Sequence, residues 1–158
     1  MVILGIDPGT AITGYGVVEK TKNLKLSCQG YGSIETPKGK AKTERLLLLE
    51  KGLDALLRKY KPNVMAVESL FFFKNLKTAM PVSEAKGVVL LVAAKKRIPI
   101  HEFTPLQVKM AVAGYGRAEK QQVQRMVKEI LDLPALPKPD DAADALSIAI
   151  ACSLVIQS

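Results

Sequence analysis

Val2-Ile3-Leu4-Gly5-Ile6-Asp7-Pro8-Gly9-Thr10 decides the fold. A short apolar run ends in an acid and a Pro-Gly turn, which reads as a buried strand that delivers a carboxylate to its own carboxyl end. Working outward, Thr13 to Glu19 and Leu24 to Thr36 are rich in Gly, Val, Tyr and Ser, and Asn23 marks a turn between them. Both are expected to be antiparallel partners of the first strand. Beyond a polar loop over Pro37 to Lys42, Leu46, Leu49, Leu53, Leu56, Leu57 and Tyr60 recur at helical spacing as far as Lys61-Pro62.

The same strand-and-acid pattern returns at Val64 to Glu68. Thr78 to Lys96 reads as a long helix, with Pro81 tolerable only in its first turn. Ile98 to Phe103 is another strand, and Thr104-Pro105 opens a helix to about Ala113 that Gly114-Tyr115-Gly116 breaks. Glu119 to Leu131 places Val123, Met126, Val127 and Ile130 on one helical face, and Pro137-Lys138-Pro139 leads into an apolar helix from Asp140 towards Val155. Three strands, helix, strand, helix, strand and further helices imply an α/β sheet with helices packed on it. The 158 residues make a single domain over 1–158, with no repeat or linker.

Composition narrows the function. A chain this size buries roughly 68–70% of its unfolded surface and needs no staple. Cys28 and Cys152 have no C-x-x-C spacing and His101 is the only histidine, which argues against zinc and for a reduced, cytoplasmic setting. The N-terminus lacks the pattern of a signal peptide, and the apolar run Val88 to Ala94 is closed by Lys95-Lys96-Arg97, so no membrane span is expected. Lys and Arg number 23 against 15 Asp and Glu, a balance of +8 that favours polyanions, nucleic acid first.

Asp7 and Glu68 end two strands, and Asp141 and Asp144 lie three residues apart on one face of the last helix. Carboxylates beside Ile, Val and Ala must be hydrogen-bonded, paired or bound to a cation. If the four converge, their repulsion calls for divalent cations, and oxygen-only ligands suit Mg²⁺ or Mn²⁺. Two plainer readings stand beside this one: Asp7 as a turn former before Pro8-Gly9, and Asp140, Asp141 and Asp144 as helix-start acids. Asp140 is the best N-cap among them and is left outside the site. Without the four carboxylates 11 acids face the 23 bases, so a small acidic focus sits in a basic surface, the layout of a metal-dependent nuclease.

Gly5-Ile6-Asp7-Pro8-Gly9-Thr10, Gly14-Tyr15-Gly16, Val67-Glu68 with Phe71 and Lys74-Asn75, Thr104-Pro105 through Val108-Lys109, Ala118-Glu119-Lys120 and Asp141-Ala142-Ala143-Asp144-Ala145-Leu146, taken together, resemble the RuvC family of Holliday junction resolvases. The resemblance runs along nearly the whole chain. It implies a ribonuclease H-like mixed sheet flanked by helices, a catalytic tetrad of Asp7, Glu68, Asp141 and Asp144, and two Mg²⁺ per site with Mn²⁺ as a substitute. The implied activity is paired, symmetric nicking of four-way DNA junctions in recombination and repair. Lys109 and Lys120 match phosphate-contacting positions, with a solvated lysine as the plain alternative at each; Lys74, Lys77, Arg117 and Arg125 are weaker candidates. Phe71 matches the family's junction-probing aromatic. The run Phe71-Phe72-Phe73 is richer in rings than the family pattern requires, which leaves open which one acts as a wedge and which packs in the core.

A two-fold junction needs two cuts, so a homodimer is expected. The helix around Val82, Val88, Val89, Leu90, Leu91, Val92 and Ala93 is apolar on more than one face and offers an interface. The branch-migration proteins RuvA and RuvB are implied partners. Asp7-Pro8-Gly9-Thr10 is also similar to the first phosphate loop of actin-like ATPases and sugar kinases, but those need two lobes and this chain supplies one.

Overall fold

The computed structural model describes residues 1–69 and 76–156, including only the backbone of Leu76. Strands β1 (Val2–Asp7), β2 (Ile12–Lys20), β3 (Leu26–Glu35), β4 (Val64–Glu68) and β5 (Ile100–Phe103) form one sheet in the order β3-β2-β1-β4-β5. β2 pairs antiparallel with both β1 and β3, while β4 runs parallel to β1 and β5 parallel to β4. One expectation needs correcting: β3 pairs with β2 and not with β1, whose other edge is taken by β4. The crossover helix between β3 and β4 makes that parallel pairing possible.

Helices α1 (Lys42–Tyr60) and α2 (Leu76–Lys95) cover one face; α3 (Pro105–Ala113), α4 (Lys120–Ile130) and α5 (Asp140–Val155) cover the other. The alternation of β side chains sorts the core accordingly. Leu4, Ile6, Val17 and Met65 pack under α1 and α2, whereas Ile3, Val18, Val64 and Ala66 pack under α5 and its neighbours. Asp7 shares the parity of Ile3, and Glu68 that of Val64 and Ala66. Both acids therefore leave the sheet on the α5 face.

α5 is the central helix of that face. Its Leu146, Ile148 and Ile150 are fully buried, each worth about 1.5–3 kcal/mol. It lies directly on β1 and β2 because glycines make room: a Cβ on Gly5 would stand 2.1 Å from the Ala145 carbonyl oxygen, and one on Gly14 2.0 Å from that of Asp141. Since Gly14 is the register partner of Asp7, the start of α5 is held over the end of β1.

Three further details depart from the sequence reading. α2 begins at Leu76, so Pro81 falls in its second turn and leaves the Lys77 carbonyl without an intrahelical donor. β5 begins at Ile100, because Arg97 takes a left-handed φ of 55° and the Ile98 N–H is spent on the Ala93 carbonyl in closing α2. The N-cap of α5 is Pro139, with no side-chain cap, and Asp140 is the first helical residue.

Candidate active site

Asp7, Glu68 and Asp144 line one cleft of about 250 Å³ together with Lys109, Lys120 and Ser147. Each arrives by a different route. Asp7 is set by β1, Glu68 by β4, Lys109 by α3, Lys120 by the first residue of α4, and Asp144 by α5. Asp141, one turn before Asp144, sits above Gly14 and adds its charge to the field at Asp7. Asp7 is the focus. Burial, then the negative charges of Asp144, Glu68 and Asp141, push its carboxyl well above the ordinary aspartate range, and Lys120 opposes them. Glu68 is also raised, by burial and by Asp144, with Lys109 and Lys120 pulling the other way.

Lys120 is the cleft lysine that pairs directly with an acid. Its Nζ donates to Asp144 Oδ2 at 3.0 Å and lies 3.7 Å from Asp140 Oδ2. Although partial burial works against its charge, the Asp144 hydrogen bond and the surrounding aspartates raise its pKa. Burial still raises Asp144 above its ordinary value in spite of that bond. Lys120 lies 24 residues before Asp144 in the chain, and only the packing of α4 on α5 brings it to the acids. Asp140 is not the cap it was expected to be. It is an exposed acid whose Oδ1 accepts from Lys138 Nζ at 3.3 Å, and this hydrogen bond, followed by Lys120, holds its pKa low.

The remaining expected contacts divide. Lys109 and Lys120 are in the cleft, Arg117 and Arg125 are exposed on the same helical layer, and Lys77 is exposed on α2 across the sheet. Phe71, Phe72, Phe73 and Lys74 lie outside the described residues.

The donor chemistry suits a hard divalent cation: Asp7, Glu68 and Asp144 line the cleft and Asp141 adds its charge from beside it, with no sulfur or imidazole among them, and the repulsion gathered at Asp7 calls for positive charge. Among the described residues no three acidic, histidine or cysteine side chains are grouped tightly enough to hold one ion. In this arrangement Asp144 is engaged by Lys120.

A family profile described as "Crossover junction endodeoxyribonuclease RuvC" matches residues 3–152. The chain belongs to the RuvC family. It is 53% identical to the crossover junction endodeoxyribonuclease RuvC of Heliobacterium modesticaldum over 153 residues, 97% of this chain and 94% of the relative. It is 56% identical to that of Ruminiclostridium cellulolyticum over 150 residues, 95% and 90% of the two chains. Among solved structures, RuvC of T. thermophilus in complex with a Holliday junction substrate superposes with a TM-score of 0.90 at 36% identity, covering 96% of this chain and 92% of that one. The Fowlpox virus resolvase with its junction shares the fold alone, at a TM-score of 0.62 and 17% identity over 98% and 99% of the two chains. The expected mixed sheet flanked by helices is the fold this family has. Among the described residues no helix is long and apolar enough to cross a membrane.

Proposed function

We propose that this chain resolves four-way DNA junctions by paired hydrolytic nicks, with Asp7, Glu68, Asp141 and Asp144 as the catalytic carboxylates. The reading is carried by one observation: the strand-end acids Asp7 and Glu68 share a cleft with Asp144 and with two lysines suited to phosphate. Two Mg²⁺ ions held by the four carboxylates, with Mn²⁺ as a substitute, would activate water on one side of the phosphodiester and stabilise the departing oxygen on the other. Asp7, at the end of β1 and in the middle of the acids, would be the central ligand to the metal. Glu68 fixes the β4 side of the cleft, and Asp141 and Asp144 bring in the α5 side. Lys109 and Lys120 hold the scissile strand's phosphates and position the DNA without reading its sequence. When DNA enters, Lys120 exchanges Asp144 for a phosphate oxygen and frees that carboxylate.

Two cuts need two copies. Val89, Val92 and Ala93 of the expected interface are buried within the monomer, but α2 exposes Met80 (68%) and Leu91 (52%) on its outer side, near Gly87, where an added Cβ would meet nothing within 4 Å. That apolar stripe supports a homodimer built on α2.

The test is nicking of a synthetic four-way junction and of a linear duplex of the same sequence, each with Mg²⁺ and with a chelator. Symmetric nicks on the junction alone, and only with metal, are expected. Equal cutting of the duplex, or cutting in chelator, would refute the reading.

A further inference from the structure

A second cavity, of about 300 Å³, opens on the other side of the Pro8-Gly9-Thr10 turn, between that turn and helices α1 and α2. Lys40, Lys42 and Arg45 line it against one acid, Glu84, which already pairs with Lys42 at 3.1 Å. Arg45 is half-buried. Its Nε donates to Thr36 Oγ1 at 3.1 Å and its Nη2 to the Thr10 carbonyl, both neutral acceptors, and no carboxylate among the described residues pairs with it. A guanidinium has five N–H donors, so three remain for a ligand, and a half-buried cation without a counter-charge favours an anion beside it.

Thr13 gives an independent sign. The residue is 2% exposed and lines this cavity, yet its hydroxyl has no hydrogen-bond partner among the described residues. No fully buried side-chain oxygen lacks a partner, so the Thr13 hydroxyl must open onto the cavity itself. A hydroxyl that opens onto the cavity with no protein partner is free to bond a ligand oxygen there.

We propose that this groove is a second phosphate-binding site, which grips the DNA backbone on the side of the turn opposite to the carboxylates. The proposal rests on the reading of this chain as a junction-binding nuclease. The occupant follows from position. Thr10 is three residues from Asp7, at most about 11 Å along the chain, so a strand leaving the catalytic cleft crosses the turn directly into the groove.

The test compares wild type, Lys40→Ala and Thr13→Val for binding to a four-way junction and to a linear duplex over a range of salt, in Ca²⁺ to prevent cutting. Lys40→Ala should weaken binding to both DNAs several-fold and lower the slope of log affinity against log salt by about 1. Thr13→Val should weaken binding while its melting temperature stays level or rises, since the native hydroxyl loses no protein partner. Wild-type binding with both variants unchanged would overturn the groove and leave the junction reading intact. Failure of wild type to prefer the junction, with Lys40→Ala still weakening duplex binding, would overturn the junction reading and leave the groove. In a third arm, inorganic phosphate is added without DNA. If it raises the melting temperature only when Lys40 is present, and neither variant alters DNA binding, the groove is a small-anion site and the proposal falls.

Discussion

On the α5 face of the sheet, the end of β1 is surrounded by acids, closely packed, and supplied with just enough lysine to hold one of them. On the α1–α2 face, the same turn borders a groove of bases with a single acid. The two sides are sorted by strand parity: Asp7 projects one way, Thr13 the other. The contrast teaches that one nine-residue stretch serves both. Its strand fixes a carboxylate to about the precision of the sheet, and its turn separates the place where DNA would be cut from the place where it would be gripped. Losses of acids on the first face should fall on rate, and losses of bases on either face on affinity.

The largest effect expected is on cutting. Glu68→Gln, Asp141→Asn and Asp144→Asn should each slow junction cleavage by at least about 100-fold, beyond the roughly 10–100-fold loss typical of groups one shell further from a metal. Junction affinity should hold or improve, because each change removes a negative charge. Weakened binding with retained cutting in any of them would erase the contrast between the faces.

Next comes the packing that creates the acidic side. Gly14→Ala must push its Cβ away from the Asp141 carbonyl, at a cost of at least about 1–3 kcal/mol. At this chain length each kcal/mol lowers the melting temperature by about 2–4 °C. Cleavage should fall with it, since Asp141 moves with α5. A variant that melts like wild type would mean that α5 does not rest on β2 as described.

The acidic side also predicts a pH effect. Because burial and neighbouring carboxylates raise Asp7, the metal-free folded chain binds more protons than the unfolded one once pH exceeds the ordinary aspartate value. Its stability therefore falls as pH rises through the window up to the raised value, and the deficit persists above it. Asp7→Asn escapes this. In chelator at neutral pH it should melt a few degrees above wild type, and the gain should vanish below about pH 4, where Asp7 is protonated in both states. A lower melting temperature for the variant at neutral pH would count for the turn-former reading of Asp7.

The smallest effect separates the two lysines of the cleft. Lys109→Ala should reduce the salt slope of junction binding by about 1, whereas Lys120→Ala should reduce it by less, because its ammonium must first leave Asp144. Equal slopes would remove the exchange assigned to Lys120.

Much of this was legible in the sequence for identifiable reasons. Strand, acid and Pro-Gly at Val2–Gly9, and strand and acid at Val64–Glu68, carry their own signals, and the three-residue step from Asp141 to Asp144 sets both on one helical side. The parts that stayed hidden depend on contacts between distant elements. The pairing of β3 with β2 alone, the Lys120–Asp144 ion pair and the gathering of Lys40, Lys42 and Arg45 beside Thr13 leave no local pattern; a polar loop over Pro37 to Lys42 looks the same whether it is solvated or lines a groove. Asp140 failed as a cap because Pro139 occupies the N-cap position, which fixes where helical geometry begins.

The central claim is that Asp7 serves cutting and not holding. Its most direct test is the single-turnover cleavage rate and the junction Kd of Asp7→Asn beside wild type, the first in Mg²⁺ and the second in Ca²⁺. The account predicts loss of cleavage with a Kd equal to or below that of wild type. Cleavage at the wild-type rate, or a loss of binding that accounts for the loss of cutting, would contradict it.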